Sequence, residues 1–311
     1  MFTNVPWHTQ SGVPLFENRG LAFEKGFERS TPYVYEVLVD AKQLLNLDWN
    51  ATAEAARDGP DPGGPFAMSA DSHVGHLRLD YQQRCDSTTE NGNLEPWIFI
   101  QVSRQNWVGD VQFDPDRQEV YKYNTQRQDY PLGPDRAPNF RMFFVSRFSE
   151  PFLQNGVTSG KNIFEDESTR RGNFTSAYVK FHRNTTRVEV RTGVSYVSIE
   201  QARKNLNLEI PDSDSFENTV QKVKQAWLEK LGRVTIDGVN ETDSDHDPRQ
   251  IWYTGLFHAL QYPNDFSEPM STEKDADGYS TQDIPIVYTL SMILTISPGQ
   301  FGIPTEQSIL Y

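Results

Sequence analysis

The stretch VSYVSIEQARKNLNLEIP, residues 194–211, contains the point at which the chain changes from strands to helices. Up to Val197 apolar side chains alternate with polar ones, which is the pattern of a half-buried strand. Ser198 and Gln201 then form a capping box, and Pro211 ends the helix that they begin. The stretch therefore predicts a β domain before it and helices after it.

Alternation with a period of two dominates the chain before this point, from about residue 33 to residue 197. The predicted strands are residues 33–38, 76–81, 97–102, 107–113, 119–123, 140–148, 174–181 and 187–196. Many short alternating runs with no helices between them predict an antiparallel β-sandwich. Residues 57–65 and 149–173 are predicted loops, and the second is long enough for a rim or a lid.

Two further helices are predicted downstream. Asp214 with Glu217 caps the first, which ends at Gly232. Its apolar stripe consists of Phe216, Val220, Val223, Trp227 and Leu231. The dipeptide Asp247-Pro248 supplies the cap and first residue of the next helix, which runs to about residue 261. Because this last helix is apolar on most sides, we expect it to belong to a larger helical domain that covers it.

The composition restricts the partners of the chain. A net charge of −14 over 311 residues gives an acidic surface, which disfavours nucleic acid and anionic membranes and is compatible with a neutral ligand such as a sugar. Nowhere is there an apolar run near the length of a membrane span, and the first 20 residues show no signal-peptide pattern.

The compartment stays open on the sequence alone. Cys85 is the only cysteine, so no internal disulfide can form, and it is interpreted as an incidental loop residue. Four glycosylation sequons keep an extracellular or secretory location possible; they are Asn50, Asn173, Asn184 and Asn240.

Two patterns in the helical part are similar to those of a known family. The first, Ser-x-x-Gln-Ala-x-x-Asn-Leu-x-x-Glu, is matched by Ser198, Gln201, Ala202, Asn205, Leu206 and Glu209. The second is matched by Tyr253, Thr254, Leu256, Phe257, His258, Pro263 and Asn264, with Gly255 in place of alanine. Together with Trp227 and the strands at 72–81 and 140–145, they resemble glycoside hydrolase family 92, the calcium-dependent exo-α-mannosidases.

This resemblance implies hydrolysis of terminal α-linked mannose from glycans, with inversion and with calcium. The family's Gly-rich opening segment is absent, so we expect early strands to be missing and a sheet edge to be left open. The helices that carry the family's acid, base and most calcium ligands are also absent. We therefore expect the chain alone to be catalytically incomplete and to bind no calcium.

The family's Trp-Asp-Thr-(Phe/Tyr)-Arg motif, expected shortly after Tyr279, is missing as well. Residues 298–307 have a possible coding sequence that, shifted by two nucleotides, reads Trp-Thr-Ile-Trp-Asp-Thr-Tyr-Arg-Ala. This suggests the hypothesis that the C-terminus is an out-of-frame reading, which the coding DNA can test.

Acidic side chains are the first candidates for catalysis, because an inverting glycosidase needs two carboxyls about 6.5–9.5 Å apart. They cluster in two linkers, as Asp237, Asp243, Asp245 and Asp247, and as Glu268, Glu273, Asp275 and Asp277. Such loops are usually solvated, so no catalytic residue is assigned. Residues 273–284 resemble a calcium loop but have Ile284 where a bidentate carboxylate is needed, so no metal site is assigned either.

His258 and two tryptophans are the remaining candidates. On its apolar helix His258 is expected to be a buried core histidine, while the resemblance makes it a candidate for contact with the sugar. Trp97 and Trp107 could stack on a sugar ring, but in strands they are more often core residues.

The sequence thus predicts a mainly β chain with C-terminal helices. Residues 1–212 form an antiparallel β-sandwich, or supersandwich, residues 213–247 a linker helix with an acidic loop, and residues 248–311 the truncated start of an (α/α)6-type domain. The predicted function is the N-terminal, carbohydrate-binding part of a family 92 α-mannosidase acting on mannose-containing glycans. The alternatives are a non-catalytic carbohydrate-binding module and a non-functional fragment of a frameshifted gene.

Overall fold

A computed structural model of the chain describes residues 2–8, 22–40, 66–80, 94–125, 140–182, 184–237, 247–261 and 268. The strands are β1 Phe2–His8, β2 Ala22–Ser30, β3 Tyr35–Asp40, β4 Phe66–Ala70, β5 Val74–Asp80, β6 Leu94–Gln101, β7 Val108–Asp114, β8 Glu119–Asn124, β9 Met142–Phe148, β10 Gln154–Ser159, β11 Asn162–Glu165, β12 Thr169–Asn173, β13 Thr175–Lys180 and β14 Arg187–Ser195. The helices in this part are α1 Ile199–Glu209, α2 Phe216–Leu231 and α3 Pro248–Leu260.

The strands form two antiparallel sheets. The smaller sheet has the order β1-β6-β13-β10-β11, and the larger has the order β12-β7-β8-β9-β14-β5-β4-β3-β2. Alternate residues of both sheets point into one apolar layer, whose most buried members include Leu79, Ile98, Val111, Val120, Val179 and Val190. Burying a side chain of this size stabilises the fold by about 1.5–3 kcal/mol, so this layer is the main source of stability.

Helix α1 covers the opposite face of the nine-stranded sheet. Ala202, Leu206 and Ile210 pack there against aromatic and aliphatic residues of β5, β8 and β9. The close approach depends on Gly193 of β14, because a Cβ at this position would lie 2.3 Å from the carbonyl oxygen of Ala202. The glycine therefore sets the distance between the helix and the sheet.

Helix α2 packs over β4 and β5 on the same face. Inside this contact His76 is fully buried, with Nδ1 2.8 Å from the Thr219 hydroxyl and Nε2 3.3 Å from the Glu189 carboxylate. Burial acts to raise the pKa of Glu189, but the hydrogen bond with His76 and the nearby positive charges outweigh it and lower that pKa. A buried polar contact thus joins the helix to two strands.

Helix α3 lies against α2. The rings of Trp227 and Phe257 are 4.9 Å apart, and the Tyr253 hydroxyl donates to the carbonyl of Val234 at 3.1 Å. No residue of α3 is buried, and Ile251 and Trp252 are 61% and 45% exposed. No helix in the described part combines the length and the apolar character that crossing a lipid bilayer requires.

The predicted antiparallel sandwich followed by helices is confirmed, and all eight predicted strands are present. The predicted loop at 149–173 is wrong, because it contains β10, β11 and β12. Strands β11 and β12 are largely exposed, so their sequences lack the alternation of apolar and polar residues that marks a half-buried strand. Strands β1 and β2 lie at one end of each sheet, and the expectation of missing early strands and an open sheet edge stays a prediction.

The caps were predicted in two cases out of three. Ser198 accepts from the backbone N–H of Gln201, and Asp247 from that of Arg249. For α2 the expected cap Asp214 is wrong, because Ser215 accepts the hydrogen bond from Asn218 instead. The loop at 57–65, Cys85 and residues 269–311 lie outside the described residues.

Candidate functional site

A cleft opens on the helix-covered side of the large sheet, between the β7–β8 turn and the segment that joins α1 to α2. It is shallow and widely open to solvent, with a volume of about 670 Å³. Its lining residues are Asp116, Arg117, Gln118, Arg147, Asn207, Pro211 and Asp212. Two arginines and two aspartates give this lining a formal charge of zero.

The wall of the cleft is built on Glu119, whose side chain is 0% exposed. One carboxylate oxygen accepts from Nε and Nη2 of Arg147 on β9, at 3.1 and 2.6 Å. The other accepts from Nε and Nη2 of Arg203 on α1, at 3.1 and 2.9 Å. A buried carboxylate needs such partners, since an unpaired one would be costly. The same contacts fasten α1 to the sheet.

Arg147 extends this network to the surface of the cleft. Its Nη1 donates to Asn207 at 2.9 Å and to Asp212 at 2.8 Å. Burial acts to lower the pKa of Arg147, but the hydrogen bonds to Glu119 and Asp212 outweigh it and raise that pKa. The guanidinium therefore stays charged and fixes the orientation of both surface groups.

Asp212 receives a second guanidinium. Nη2 of Arg191 lies 2.6 Å from its carboxylate, and Nη1 of the same arginine donates to the carbonyl of Ile210 at 3.1 Å. Burial acts to raise the pKa of Asp212, but the hydrogen bonds from Arg147 and Arg191 outweigh it and lower that pKa. Asp212 is therefore ionised at neutral pH and suits hydrogen-bond acceptance, not donation of a proton.

The polar residues of the family pattern at 198–209 have contacts within the chain. Ser198 caps α1, and Nε2 of Gln201 donates to Oδ1 of Asn205 at 2.7 Å. Glu209 accepts from the backbone N–H of His73 at 2.7 Å, and its other oxygen lies 2.7 Å from the His73 ring. The first two contacts stabilise α1 itself and the Glu209 contact holds it against the sandwich, so the pattern has a structural role in the described part of the chain.

His258 does not have the buried position that its apolar helix predicted. It is exposed on α3, with its ring 5.5 Å from that of Phe257. The reason is that α3 contacts α2 and leaves its outer side open. Its proposed contact with a sugar stays a prediction.

The two tryptophans occupy different environments. Trp97 is 6% exposed and packs with Phe99 and Tyr178 on the outer face of the small sheet, with its ring 5.6 Å from that of Tyr178. Trp107 is partly exposed in the turn before β7. The expectation that Trp97 is a core residue is confirmed.

The acidic linkers are only partly described. Asp237 is exposed, and Asp247 accepts from the backbone and side chain of Arg249. Glu268 accepts hydrogen bonds from the backbone N–H of Tyr196 and from Asn205. The other five carboxylates, Asp243, Asp245, Glu273, Asp275 and Asp277, and residue Ile284 lie outside the described residues.

Two of the four glycosylation sequons fall on described residues. Asn173 and Asn184 are exposed, whereas Asn50 and Asn240 lie outside the described residues.

Calcium does not fit the described residues. Within them, no three carboxylate, histidine or cysteine side chains come together as ligands. Both oxygens of Glu268 already accept hydrogen bonds, and Asp247 caps a helix. The described residues therefore offer no set of oxygen ligands of the kind that calcium requires.

The network around Glu119 was missed by sequence reasoning. Its members come from β8, β9 and α1, at sequence separations of 28 from Glu119 to Arg147 and 84 from Glu119 to Arg203. No local spacing signals such a cluster. The available hint was Glu119 at the start of a predicted strand, directly before the apolar Val120.

Two family models match the chain, one over its strands and one over the residues that follow them. Residues 3–195 match the glycosyl hydrolase family 92 N-terminal domain, and residues 201–291 match the glycosyl hydrolase family 92 catalytic domain. A protein of Arthroderma benhamiae, described as an uncharacterized secreted glycosidase, is 32% identical over 219 residues. That alignment covers 64% of this chain and 27% of the fungal protein.

Two solved structures share the fold. A family GH92 inverting mannosidase from Bacteroides thetaiotaomicron superimposes with a TM-score of 0.65 at 20% identity, over 90% of this chain and 31% of the bacterial one. A family GH92 α-mannosidase from the same organism, in complex with mannoimidazole, gives 0.56 at 16% identity, over 83% and 30%.

The chain thus spans less than a third of the length of these relatives. The division at residues 212 and 247 stays a prediction. The match to the N-terminal domain alone extends over more than half of the sequence, with the match to the catalytic domain directly after it, and the chain therefore belongs to glycosyl hydrolase family 92.

Proposed function

We propose that the chain is the N-terminal, carbohydrate-binding part of an α-mannosidase that releases terminal α-mannose from glycans. Family membership supports the reaction, since the two relatives of known structure are described as mannosidases. The observation that carries the sugar-binding role is the polar, charge-balanced cleft between the β7–β8 turn and the α1–α2 connection.

The chemistry of the cleft suits a neutral polyol. Sugar hydroxyls both donate and accept hydrogen bonds, and the cleft offers acceptors on Asp212 and Asn207 that Arg147 holds in place. An anionic ligand would meet Asp116 and Asp212, and an apolar ligand would find one apolar lining residue, Pro211. These groups support a mannose-containing glycan as the ligand.

Catalysis is assigned to residues other than the described ones. An inverting mechanism needs a protonated acid as well as an ionised base. The hydrogen bonds that lower the pKa of Asp212, and those from Arg249 that lower the pKa of Asp247, keep both carboxylates ionised. We therefore propose that the acid, the base and the calcium of the activity lie outside the described residues, and that the described part of the chain binds sugar without cleaving it.

The proposal is tested by calorimetric titration of methyl α-mannoside into the full chain. Asn207→Ala removes an amide from the cleft, and we expect binding to weaken by about fivefold, as for the loss of one hydrogen bond. The matched control is Gln225→Ala, which removes an exposed amide from α2 outside the cleft. Equal affinities for both variants would contradict the cleft as the sugar site.

A non-catalytic carbohydrate-binding module is the second candidate, because the same cleft would serve it. A mannose-release assay on the full chain with calcium distinguishes hydrolysis from binding. Binding without release is expected for this chain. Release of mannose would contradict this expectation, and a lack of any binding would favour a non-functional fragment.

We also propose that Asn184 carries an N-glycan. The residue is exposed in the turn after β13, and the fungal relative is described as secreted. Expression in a glycosylating host should give a mass that falls after glycosidase treatment, and Asn184→Gln should lower it by one glycan. An unchanged mass for Asn184→Gln would refute this site.

A further inference from the structure

Asn205 of α1 is a buried amide with every polar atom in use, and it is only 7% exposed. Its carbonyl oxygen accepts from Gln201, one turn earlier on the same helix, at 2.7 Å. The carbonyl of Val194 can only accept a hydrogen bond, so it fixes which side of the Asn205 amide carries the NH₂ group. The NH₂ group then donates to the carbonyl of Val194 at 2.9 Å and to the Glu268 carboxylate at 2.8 Å.

The second oxygen of Glu268 completes the contact. It accepts from the backbone N–H of Tyr196 at 2.8 Å, just beyond the last residue of β14. The carboxylate therefore bridges the end of a sandwich strand and the middle of α1. Both donors are also held by contacts other than the one to Glu268, because Tyr196 follows the central strand β14 and Asn205 is oriented by the Val194 carbonyl.

Glu268 comes from a distant part of the sequence. It follows α3 and lies within the residues that match the catalytic domain, whereas Tyr196 adjoins the residues that match the N-terminal domain. The separations are 72 residues to Tyr196 and 63 residues to Asn205. A contact at such a distance restricts where the chain after α3 can lie.

We propose that Glu268 is a positioning residue that docks the catalytic-domain part of the chain onto the sandwich, through the Tyr196 N–H and the Asn205 amide. The Ser-x-x-Gln-Ala-x-x-Asn pattern supplies the docking site: Ser198 starts α1, Gln201 donates to the Asn205 oxygen, and the Asn205 NH₂ group donates to the carboxylate. This inference rests on contacts within the protein and does not depend on the sugar-binding role of the cleft.

The Tyr196 amide gives a direct measurement, because its exchange with solvent reports the hydrogen bond to Glu268. In the full chain, Glu268→Ala should accelerate exchange at Tyr196 by about tenfold or more, since a hydrogen bond to a charged group is lost. Glu268→Gln should give an intermediate rate, because its amide oxygen can accept from only one of the two donors. Glu229→Ala, an exposed glutamate on α2, is the control and should leave the rate unchanged.

Asn205→Asp tests the other partner. It places a second carboxylate against Glu268 and removes the donor, so exchange at Tyr196 should rise as in Glu268→Ala. Burial and the charge of Glu268 raise the pKa of Tyr196, so titration of its phenol should move to lower pH in Glu268→Ala.

Protection of the core amides of Leu79 and Val145 shows that each variant remains folded. If Glu268→Ala loses this protection, Glu268→Gln decides the question. Unchanged exchange at Tyr196 in a folded Glu268 variant overturns the proposal, whereas acceleration at Tyr196 with a protected core supports it.

Discussion

Substitution of Gly193 by alanine tests how closely α1 must approach the sheet. The added Cβ would lie 2.3 Å from the carbonyl oxygen of Ala202 and 3.0 Å from Cβ of Leu206. The first of these atoms belongs to the helix backbone and cannot rotate away, so α1 has to move outward by about 1 Å to restore van der Waals contact. Ala202 and Leu206, both fully buried, would lose part of their packing.

Overpacking of this kind costs about 1–3 kcal/mol. For a domain of this size about 2–4 °C of melting temperature correspond to each kcal/mol, so Gly193→Ala should melt about 2–12 °C below the parent chain. The assay is thermal unfolding followed by far-UV circular dichroism. Gly75 is the matched control, since it pairs with Thr192 on the adjacent strand and an added Cβ there meets no atom within 4 Å. Equal melting temperatures for Gly193→Ala and Gly75→Ala would refute the close approach of α1.

Three further predictions concern buried polar groups. Glu119→Ala leaves the guanidinium groups of Arg147 and Arg203 without their buried partner, so urea unfolding should show a free energy of unfolding lower by about 3–5 kcal/mol. The control, substitution of the exposed Glu229 by alanine, should lower it by less than about 0.5 kcal/mol, and equal losses would contradict the role of Glu119. The folded-state pKa of Glu189 is lowered, so the stability that this carboxylate contributes is complete above the unfolded-state pKa of about 4.3 and is lost as pH falls through the folded-state pKa. Glu189→Gln should therefore flatten the fall in stability below about pH 4. An unchanged pH profile would be evidence against the His76 contact. Burial raises the pKa of Tyr178 to about 12, and its hydroxyl has no hydrogen-bond partner among the described residues. Tyr178→Phe should therefore remove one phenolate transition near that pH and change the free energy of unfolding by less than about 1 kcal/mol. A larger loss would reveal a partner for the hydroxyl.

The sequence predicted the elements whose signals are local. Alternating runs such as 76–81 and 187–196 gave strands, because each has one face in the core. Ser198 and Asp247 marked helix starts, because a cap acts on the N–H groups that follow it directly. Residues 149–173 were misjudged, because β11 and β12 expose most of their side chains and therefore lack an apolar period.

The candidate site could not be predicted in the same way. Glu119 meets Arg147 and Arg203 only after β8, β9 and α1 have packed together, and pairing over such separations has no signature in a single sequence. The pattern at 198–209 identified the family but did not reveal that Asn205 and Glu209 hold other segments of the chain. Glu268 was read as part of a solvated linker, because its partners are backbone and amide groups far away in sequence.

The most direct test is to locate methyl α-mannoside on the full chain by measuring amide chemical shifts while the sugar is added. The cleft predicts saturable shifts at Gln118, Asn207 and Asp212, with none at the outer face of the small sheet around Phe99. Saturable shifts confined to residues outside the cleft, or no shifts at ligand concentrations that saturate the calorimetric titration, would contradict it.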